Sequence, residues 1–326
     1  MQNLSKNFLE KLASIYSKEE IKIIEEWFKN PNPTVFRVNT LKTDFDILEE
    51  LRKNWFELEK IPYLSNSYKI LKNWDTRISE TKSFKEGYIY LQWITSQIPV
   101  ELISLPLKGG DLEGVKVLDL TAAPGGKTSQ LACKMKNNWE IIANELNKIR
   151  FEKLSYTIKN QQVKNAKLLN KDARELKNIF KKESFDLIIA DLPCSAEWRI
   201  NLEKEKTYKY LEKPWINKRN YKLQQDILKN TIDLLKTGWE LIYSTCTLDP
   251  LENEGIVHYI LSNFKNLEVS DISSFFNQKW LKEISKPWIK KYKKYIFRNE
   301  VSKAIRLLPS KETEWFFIVK FKKVSF

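Results

Sequence analysis

Histidine occurs once in these 326 residues, as His258, and cysteine only three times. Three cysteines without paired local spacing make neither a disulfide framework nor a four-ligand zinc site, and a single imidazole leaves metal chemistry few ligands. Glycine is also scarce, 8 residues against 11 Trp. The three spaced glycines of a dinucleotide fingerprint do not occur, which argues against a nicotinamide enzyme. No apolar stretch approaches the length of a membrane span. The opening residues from Met1 to Tyr16 mix Lys and Glu with single apolar side chains at helical spacing, unlike a signal or transit peptide. A cytoplasmic globular protein with no metal and no membrane partner is expected, and a monomer.

What is abundant is positive charge. A net charge of +14 and a pI near 9.3 point to a polyanionic partner, because Lys and Arg displace counterions from phosphates; plain solubility is the alternative. In Lys286-Pro287-Trp288-Ile289-Lys290-Lys291-Tyr292-Lys293-Lys294-Tyr295-Ile296-Phe297-Arg298 basic and aromatic residues interleave. Such a run can grip a backbone and stack unpaired bases, as single-stranded RNA demands, or it can be a solvated helix with aromatics on its buried side.

Apolar spacing predicts two helices over residues 4–30, stopped by Asn30-Pro31-Asn32-Pro33. A small α+β unit follows to about Gly87, with β-like runs at Val35–Asn39, Trp55–Ile61 and Tyr68–Leu71 and a helix near Asp44–Leu51. Strand and helix then alternate, the mark of a parallel sheet covered on both faces. Strands are expected at Val115–Leu120, Glu140–Asn144, Ala166–Asn170, Phe185–Ala190 and Glu240–Ser244, with a closing hairpin of Ala304–Leu308 and Trp315–Phe321. Helices are expected at Lys127–Lys136, Lys148–Asn160, Asn217–Lys236 and Pro250–Phe264, the last with Asp249 as N-cap.

In an open parallel sheet a ligand sits beyond the carboxyl ends of the strands. The first such strand runs into Thr121-Ala122-Ala123-Pro124-Gly125-Gly126-Lys127, where two glycines let backbone approach a ligand. The next ends at Glu145, able to accept from two ribose hydroxyls, and the third at Asp172, able to reach an adenine amino group. Two cysteines stand 52 positions apart at strand ends, in Asp191-Leu192-Pro193-Cys194-Ser195 and Tyr243-Ser244-Thr245-Cys246-Thr247. Together these suggest a nucleotide-like cofactor and a thiol nucleophile.

The run from Asp119 to Thr128, the Asp-Leu-Pro-Cys-Ser segment and Tyr-Ser-Thr-Cys-Thr-Leu-Asp-Pro-Leu-Glu-Asn-Glu resemble the Nop/Sun family of RNA cytosine-5 methyltransferases. Arg37-Val38-Asn39-Thr40-Leu41-Lys42 and Tyr90-Leu91-Gln92 are similar too, so the likeness spans most of residues 33–322. It implies an α/β, Rossmann-like class I methyltransferase sheet in residues 90–326, a smaller RRM-like α+β domain in 33–89 that positions RNA, and helices in 1–32. It also implies S-adenosyl-L-methionine as cofactor, held by Thr121 to Lys127, Glu145, Asp172 and Asp191.

Carbon 5 of cytosine is too weak a nucleophile to take a methyl group unaided, so the ring needs a covalent adduct at carbon 6, and a thiolate supplies it. The resemblance makes Cys246 the nucleophile, and the helix expected to begin after Asp249 would favour its anion. Cys194 would assist loss of the carbon-5 proton or product release. Asp191 would bond the base edge near N3 and the amino group, and Lys127 would raise the local positive potential. The base must leave any stack to be reached, and Arg37, Asn39, Arg199 and Arg306 are candidate RNA contacts or, equally, ordinary surface or structural polar residues. Ribosomal RNA is the first substrate reading and tRNA the second. A non-catalytic RNA-binding assembly factor has no need of two thiols, and exocyclic amino methyltransferases place a Pro-Pro-aromatic run where Pro193-Cys194 stands.

The chain departs from the family where glycine is usual and Trp198, Trp239 and Trp315 stand; Trp139 and Trp55 also enter strands through turns where glycine supplies φ > 0 without strain. Our hypothesis is that a reassigned stop codon meaning Gly has been read as Trp. Intact-mass measurement of the protein from its native organism checks this. Glycine at these positions lowers the mass accordingly, and a mass matching all 11 indoles rejects the idea.

Overall fold

The computed structural model describes residues 4–29, 33–42, 46–72, 77–104, 114–209 and 215–325. They fall into two compact units: Pro33–Ala173, and a split unit in which Met1–Asn32 joins Arg174–Phe326. Helices α1 (Lys6–Ala13) and α2 (Lys18–Lys29) open the chain, as their apolar spacing predicts. Ser5 caps α1 by accepting from the Phe8 amide at 3.3 Å. The prolines expected to stop α2 lie largely outside the described residues.

Within Pro33–Ala173, the elements β1 (Val35–Val38), α3 (Asp46–Lys53), β2 (Glu57–Lys60), β3 (Ser67–Lys72), α4 (Lys82–Lys85) and β4 (Ile89–Leu91) build an antiparallel sheet of order β2-β3-β1-β4. Phe36, Val38, Leu51, Phe56 and Ile89 form its core. Next come α5 (Ile94–Glu101), β5 (Lys116–Asp119), α6 (Gly126–Lys134), β6 (Glu140–Asn144), α7 (Lys148–Asn160) and β7 (Ala166–Leu169). Strands β5, β6 and β7 are parallel neighbours, with Asp119 opposite Ala143 and Asn144 opposite Leu169, so their carboxyl ends align.

The split unit continues with β8 (Phe185–Asp191), α8 (Ile216–Thr231), β9 (Leu235–Thr245), α9 (Glu254–Asn263), β10 (Leu267–Val269), α10 (Ser273–Phe276), α11 (Lys279–Ile284), β11 (Ser285–Lys286), β12 (Lys291–Tyr292), β13 (Tyr295–Ile296), β14 (Ile305–Leu307) and β15 (Phe316–Lys323). Strands β8 and β9 are parallel with Asp191 opposite Ser244, and β15 returns antiparallel to β9 with Phe317 opposite Thr245. Helices α1 and α2 bury Phe8, Leu12, Tyr16, Ile24, Trp27 and Phe28 against Ile200, Tyr208, Leu248, Leu308 and Trp315. Trp315 meets Trp27 at 6.1 Å and Phe28 at 5.6 Å between ring centroids. Such pairs contribute about 0.5–1.5 kcal/mol each beyond area burial.

Two expectations need correction. The helix predicted from Pro250 starts at Glu254; Asp249 does not cap it, and its Oδ1 instead accepts from the Leu251 amide in a local turn at 2.8 Å. Cys246 therefore does not sit at a helix N-terminus. The basic run from Lys286 to Arg298 is not a helix either: it folds as the β12–β13 hairpin.

The tryptophans divide. Trp55 sits at φ 65° and is 73% exposed, a left-handed conformation that suits glycine and burdens an indole. Trp139 is buried with its Nε1 lacking a hydrogen-bond partner. Trp315, by contrast, is wholly buried and donates from Nε1 to the Cys246 carbonyl at 2.9 Å. Trp239 lies within β9, and the side chain of Trp198 is outside the described residues. In the loop after Cys194 the left-handed residue is Ala196, at φ 53°.

Candidate active site

The parallel pairing of β8 and β9 brings two loops together. Asp191 ends β8 and accepts from the Ser244 hydroxyl at 2.9 Å. Cys194 follows three residues later and Cys246 immediately after β9, with their sulfurs 3.3 Å apart and both half-buried. The sequence placed both thiols at strand ends; the distance between them is new.

The hydrogen bond to Cys246 first, and then burial and the charge of Cys246, push the Cys194 thiol well above the ordinary thiol range. A raised titration means that Cys194 holds its proton more tightly than a free thiol does.

Around the pair lies a shell of buried carboxyls. Glu252 accepts from the Ser195 amide at 2.9 Å, from the Ser195 hydroxyl, from Asn217 at 3.2 Å and from Gln224 at 3.3 Å. Burial, then the neighbouring Cys194, Asp249 and Glu197, raise its carboxyl well above the usual carboxylate range. Glu254 forms a bidentate ion pair with Arg306, with both nitrogen to oxygen distances 2.8 Å, and Arg306 donates onward to the Tyr16 hydroxyl at 2.6 Å. Breaking a buried pair of this kind costs about 3–5 kcal/mol, because the remaining charge is left uncompensated. In the sequence Glu252 and Glu254 fall inside the helix expected from Pro250, and neither they nor Ser244, Glu197 and Lys11 stand out as site residues. The three-residue offset of Glu197 from Cys194 and of Asp249 from Cys246 was the available signal; nothing in the sequence singles out Lys11.

The cofactor candidates form a separate group in Pro33–Ala173, at the carboxyl ends of β5, β6 and β7. Ala122 donates to the Asn144 carbonyl at 2.7 Å and Thr128 donates to Asp119 at 2.7 Å, fixing the turn from Thr121 to Lys127. Glu145, 3% exposed, accepts from the Asn147 amide at 2.9 Å through Oε1. Its buried Oε2 has no hydrogen-bond partner, although the Arg150 guanidinium stands 3.5 Å away. Asp172 follows β7 and is half-buried. Lys127 is buried and donates to Ser96 at 3.0 Å.

The glycines also leave room for close packing. A Cβ on Gly125, at φ 108°, would stand 2.9 Å from Thr157 and 3.2 Å from Leu154 of α7, and one on Gly126 would stand 3.1 Å from Tyr90. Three candidate RNA contacts are internal. Arg37 donates to Ser129 at 2.9 Å and to Cys133 at 3.2 Å, Asn39 donates to the Gly87 and Gln161 carbonyls at 2.9 Å, and Arg306 is held as above; all three are buried. Arg199 is exposed. Among the described residues no group of three or more His, Cys, Asp or Glu could hold a metal ion, and no helix is long and apolar enough to cross a membrane.

Loss of Cys246 removes the main cause that holds the Cys194 proton. In Cys246→Ala, alkylation of Cys194 at neutral pH is expected to run faster than in the wild type, read by mass spectrometry across a pH series. An unchanged or slower rate contradicts the hold of Cys246 on that proton.

The family model described as 16S rRNA methyltransferase RsmB/F matches residues 107–322. A tRNA (cytosine(49)-C(5))-methyltransferase of Pyrococcus abyssi is 31% identical over 99% of this chain and 97% of its own length. Ribosomal RNA small subunit methyltransferase F of Aliivibrio fischeri is 32% identical over 72% of this chain but only 49% of its own length, so the chain spans about half of that relative. A methyltransferase homologue from Pyrococcus horikoshii superimposes with a TM-score of 0.78 at 28% identity, covering 98% of this chain and 95% of that one. This chain belongs to the RsmB/F family of methyltransferases, the Nop/Sun family, and has its Rossmann-like fold.

Proposed function

We propose that the protein is an S-adenosyl-L-methionine-dependent RNA methyltransferase that forms 5-methylcytosine. The observation that carries this is the pair of sulfurs 3.3 Å apart beside the Asp191–Ser244 contact. A single nucleophile explains one thiol, whereas an adduct that must be both made and broken explains two.

The cofactor residues suit the proposed donor. The orphaned, buried Oε2 of Glu145 is an acceptor of the kind a ribose hydroxyl would satisfy, and Thr121 to Lys127, Asp172 and Asp191 complete the proposed set. When bound, S-adenosyl-L-methionine supplies an electrophilic methyl group. The chain's own residues do the rest. The Cys246 sulfur bonds to carbon 6 of the base, sending electron density to carbon 5, while Asp191 holds the base edge. Cys194, its proton gone to solvent, then takes the carbon-5 proton, and the carbon–sulfur bond breaks to regenerate the Cys246 thiolate. Lys127 acts through the positive potential of the cofactor turn.

Ribosomal RNA is the substrate that the family description names. Transfer RNA is a second reading with a specific observation behind it, since the relative that this chain covers almost end to end is named for tRNA. The domain limits 1–32, 33–89 and 90–326, a monomeric state and a cytoplasmic location belong to the same proposal. Bisulfite sequencing of total RNA from a strain without the gene identifies the target: one lost site in rRNA or tRNA names it, and no lost site defeats the reading. With RNA containing 5-fluorocytosine, the wild type is expected to form a stable adduct and Cys246→Ala none. Cys194→Ala is expected to accumulate on ordinary RNA. Normal turnover by Cys246→Ala overturns the mechanism.

The hairpin supplies the proposed RNA grip. Lys290, Lys291, Lys293 and Lys294 are exposed, with Lys293 over Tyr292 at 5.2 Å and Lys294 over Tyr295 at 5.7 Å to the ring centroids. Buried Tyr292 and Phe297 anchor it, and the Ile289 amide donates to Glu254 at 3.1 Å. Replacing Lys291, Lys293 and Lys294 by Gln is expected to weaken RNA binding and flatten its salt dependence by about 0.7 in log–log slope for each phosphate no longer neutralised. An unchanged slope removes the hairpin from the interface.

A further inference from the structure

Lys11, on α1, takes no part in the chemistry above, yet it sits where the two cysteine loops converge. Its Nζ lies 3.0 Å from Glu197 Oε1 and 2.9 Å from Asp249 Oδ2. Glu197 is three residues past Cys194 and Asp249 three past Cys246, and their side chains are 0% and 3% exposed.

Each carboxylate also holds its loop locally. Glu197 accepts from the Leu248 amide at 3.2 Å, and Asp249 accepts from Leu251 at 2.8 Å and from Asn217 at 2.6 Å. One ammonium ion thus bridges two anchored carboxylates, one on each thiol-bearing loop. Burial alone would lower the Lys11 titration, but Asp249 and Glu197 outweigh it and hold the group above the ordinary lysine value, so the charge is permanent at neutral pH.

We propose that Lys11 is a positioning residue of the methyl transfer, clamping the Cys194 and Cys246 loops at the separation their sulfurs require. The inference rests on the reading of both thiols as catalytic. Docking of α1 does not need the charge, because Phe8 and Leu12 hold that helix through the apolar core. Loss of the cation leaves two buried carboxylates facing each other without compensation, and such groups draw in water or separate.

The test is made on full-length protein carrying Cys133→Ser, so that Cys194 and Cys246 are the remaining thiols. Dibromobimane, which fluoresces when it bridges two thiols, reports their separation without any RNA. The Lys11 protein is expected to be bridged efficiently. Lys11→Met is expected to take the reagent on single sulfurs, with kcat lowered about 10- to 100-fold, the scale of a misplacement of about 1 Å, and KM for RNA unchanged. Lys11→Arg, which keeps the charge, should restore both readouts.

A folded Lys11→Met protein that bridges and turns over like its parent overturns the proposal. Should that variant not fold, Lys11→Met with Glu197→Gln decides. Its amide can accept from Leu248 and donate to Asp249, so recovery of folding and bridging supports the clamp, and failure to bridge rejects it. Bridging that depends on Lys11 in a protein that never methylates cytosine would sink the methyltransferase reading and leave the clamp standing.

Discussion

Two sulfur atoms on different loops stand within hydrogen-bond reach of each other, and the groups around them in the split unit hold those loops in place. A thiol pair cannot be held by its own weak hydrogen bond, so neighbouring groups fix the loops. Ser195 is tied to Glu252, Leu248 to Glu197, and the Cys246 carbonyl to Trp315. These partners are buried charges or large rings, which lose far more by moving than an exposed side chain would. The two sulfurs are therefore held within hydrogen-bond reach of each other.

Both groups of candidate residues use the same structural device. Parallel strands end together, and the residues just past those ends face a common region. In Pro33–Ala173 this gathers the Thr121 turn, Glu145 and Asp172 at the ends of β5, β6 and β7. In the split unit it gathers Asp191, Cys194 and Cys246 at the ends of β8 and β9. Carboxylates and a glycine turn collect at the strand ends of one unit, and two thiols with a carboxylate at those of the other.

Elements set by local pattern were legible in the sequence. Helices α1, α2, α6 and α7 follow apolar periodicity, and β6 begins and ends where its residues predict. Helix α5 was hidden because it is buried on nearly all sides, with polar Thr95 and Gln97 as buried as Ile94 and Ile98, and because it contains Pro99, so it carries little amphipathic signal. Strand β9 starts at Leu235 rather than Glu240, since Thr237-Gly238 reads locally as a turn although it lies inside the strand. The thiols and Asp191 were visible through their motifs. The internal hydrogen bonds of Arg37 and Asn39 were not legible because partners such as Ser129 and Gln161 lie far away along the chain. Lys11 was invisible for the same reason: its carboxylates come from loops nearly 200 residues and more downstream, 186 positions in the case of Glu197.

The hydrogen bond from Arg306 to Tyr16 joins positions separated by 290 residues, and Trp27 and Phe28 wait equally long for Trp315. During synthesis the opening helices must remain without their main apolar partners until nearly the whole polypeptide has left the ribosome, a delay typical of folds rich in distant contacts. A nascent product that stops short of Trp315 lacks the rings that cover Trp27 and Phe28, so this part of the core closes last.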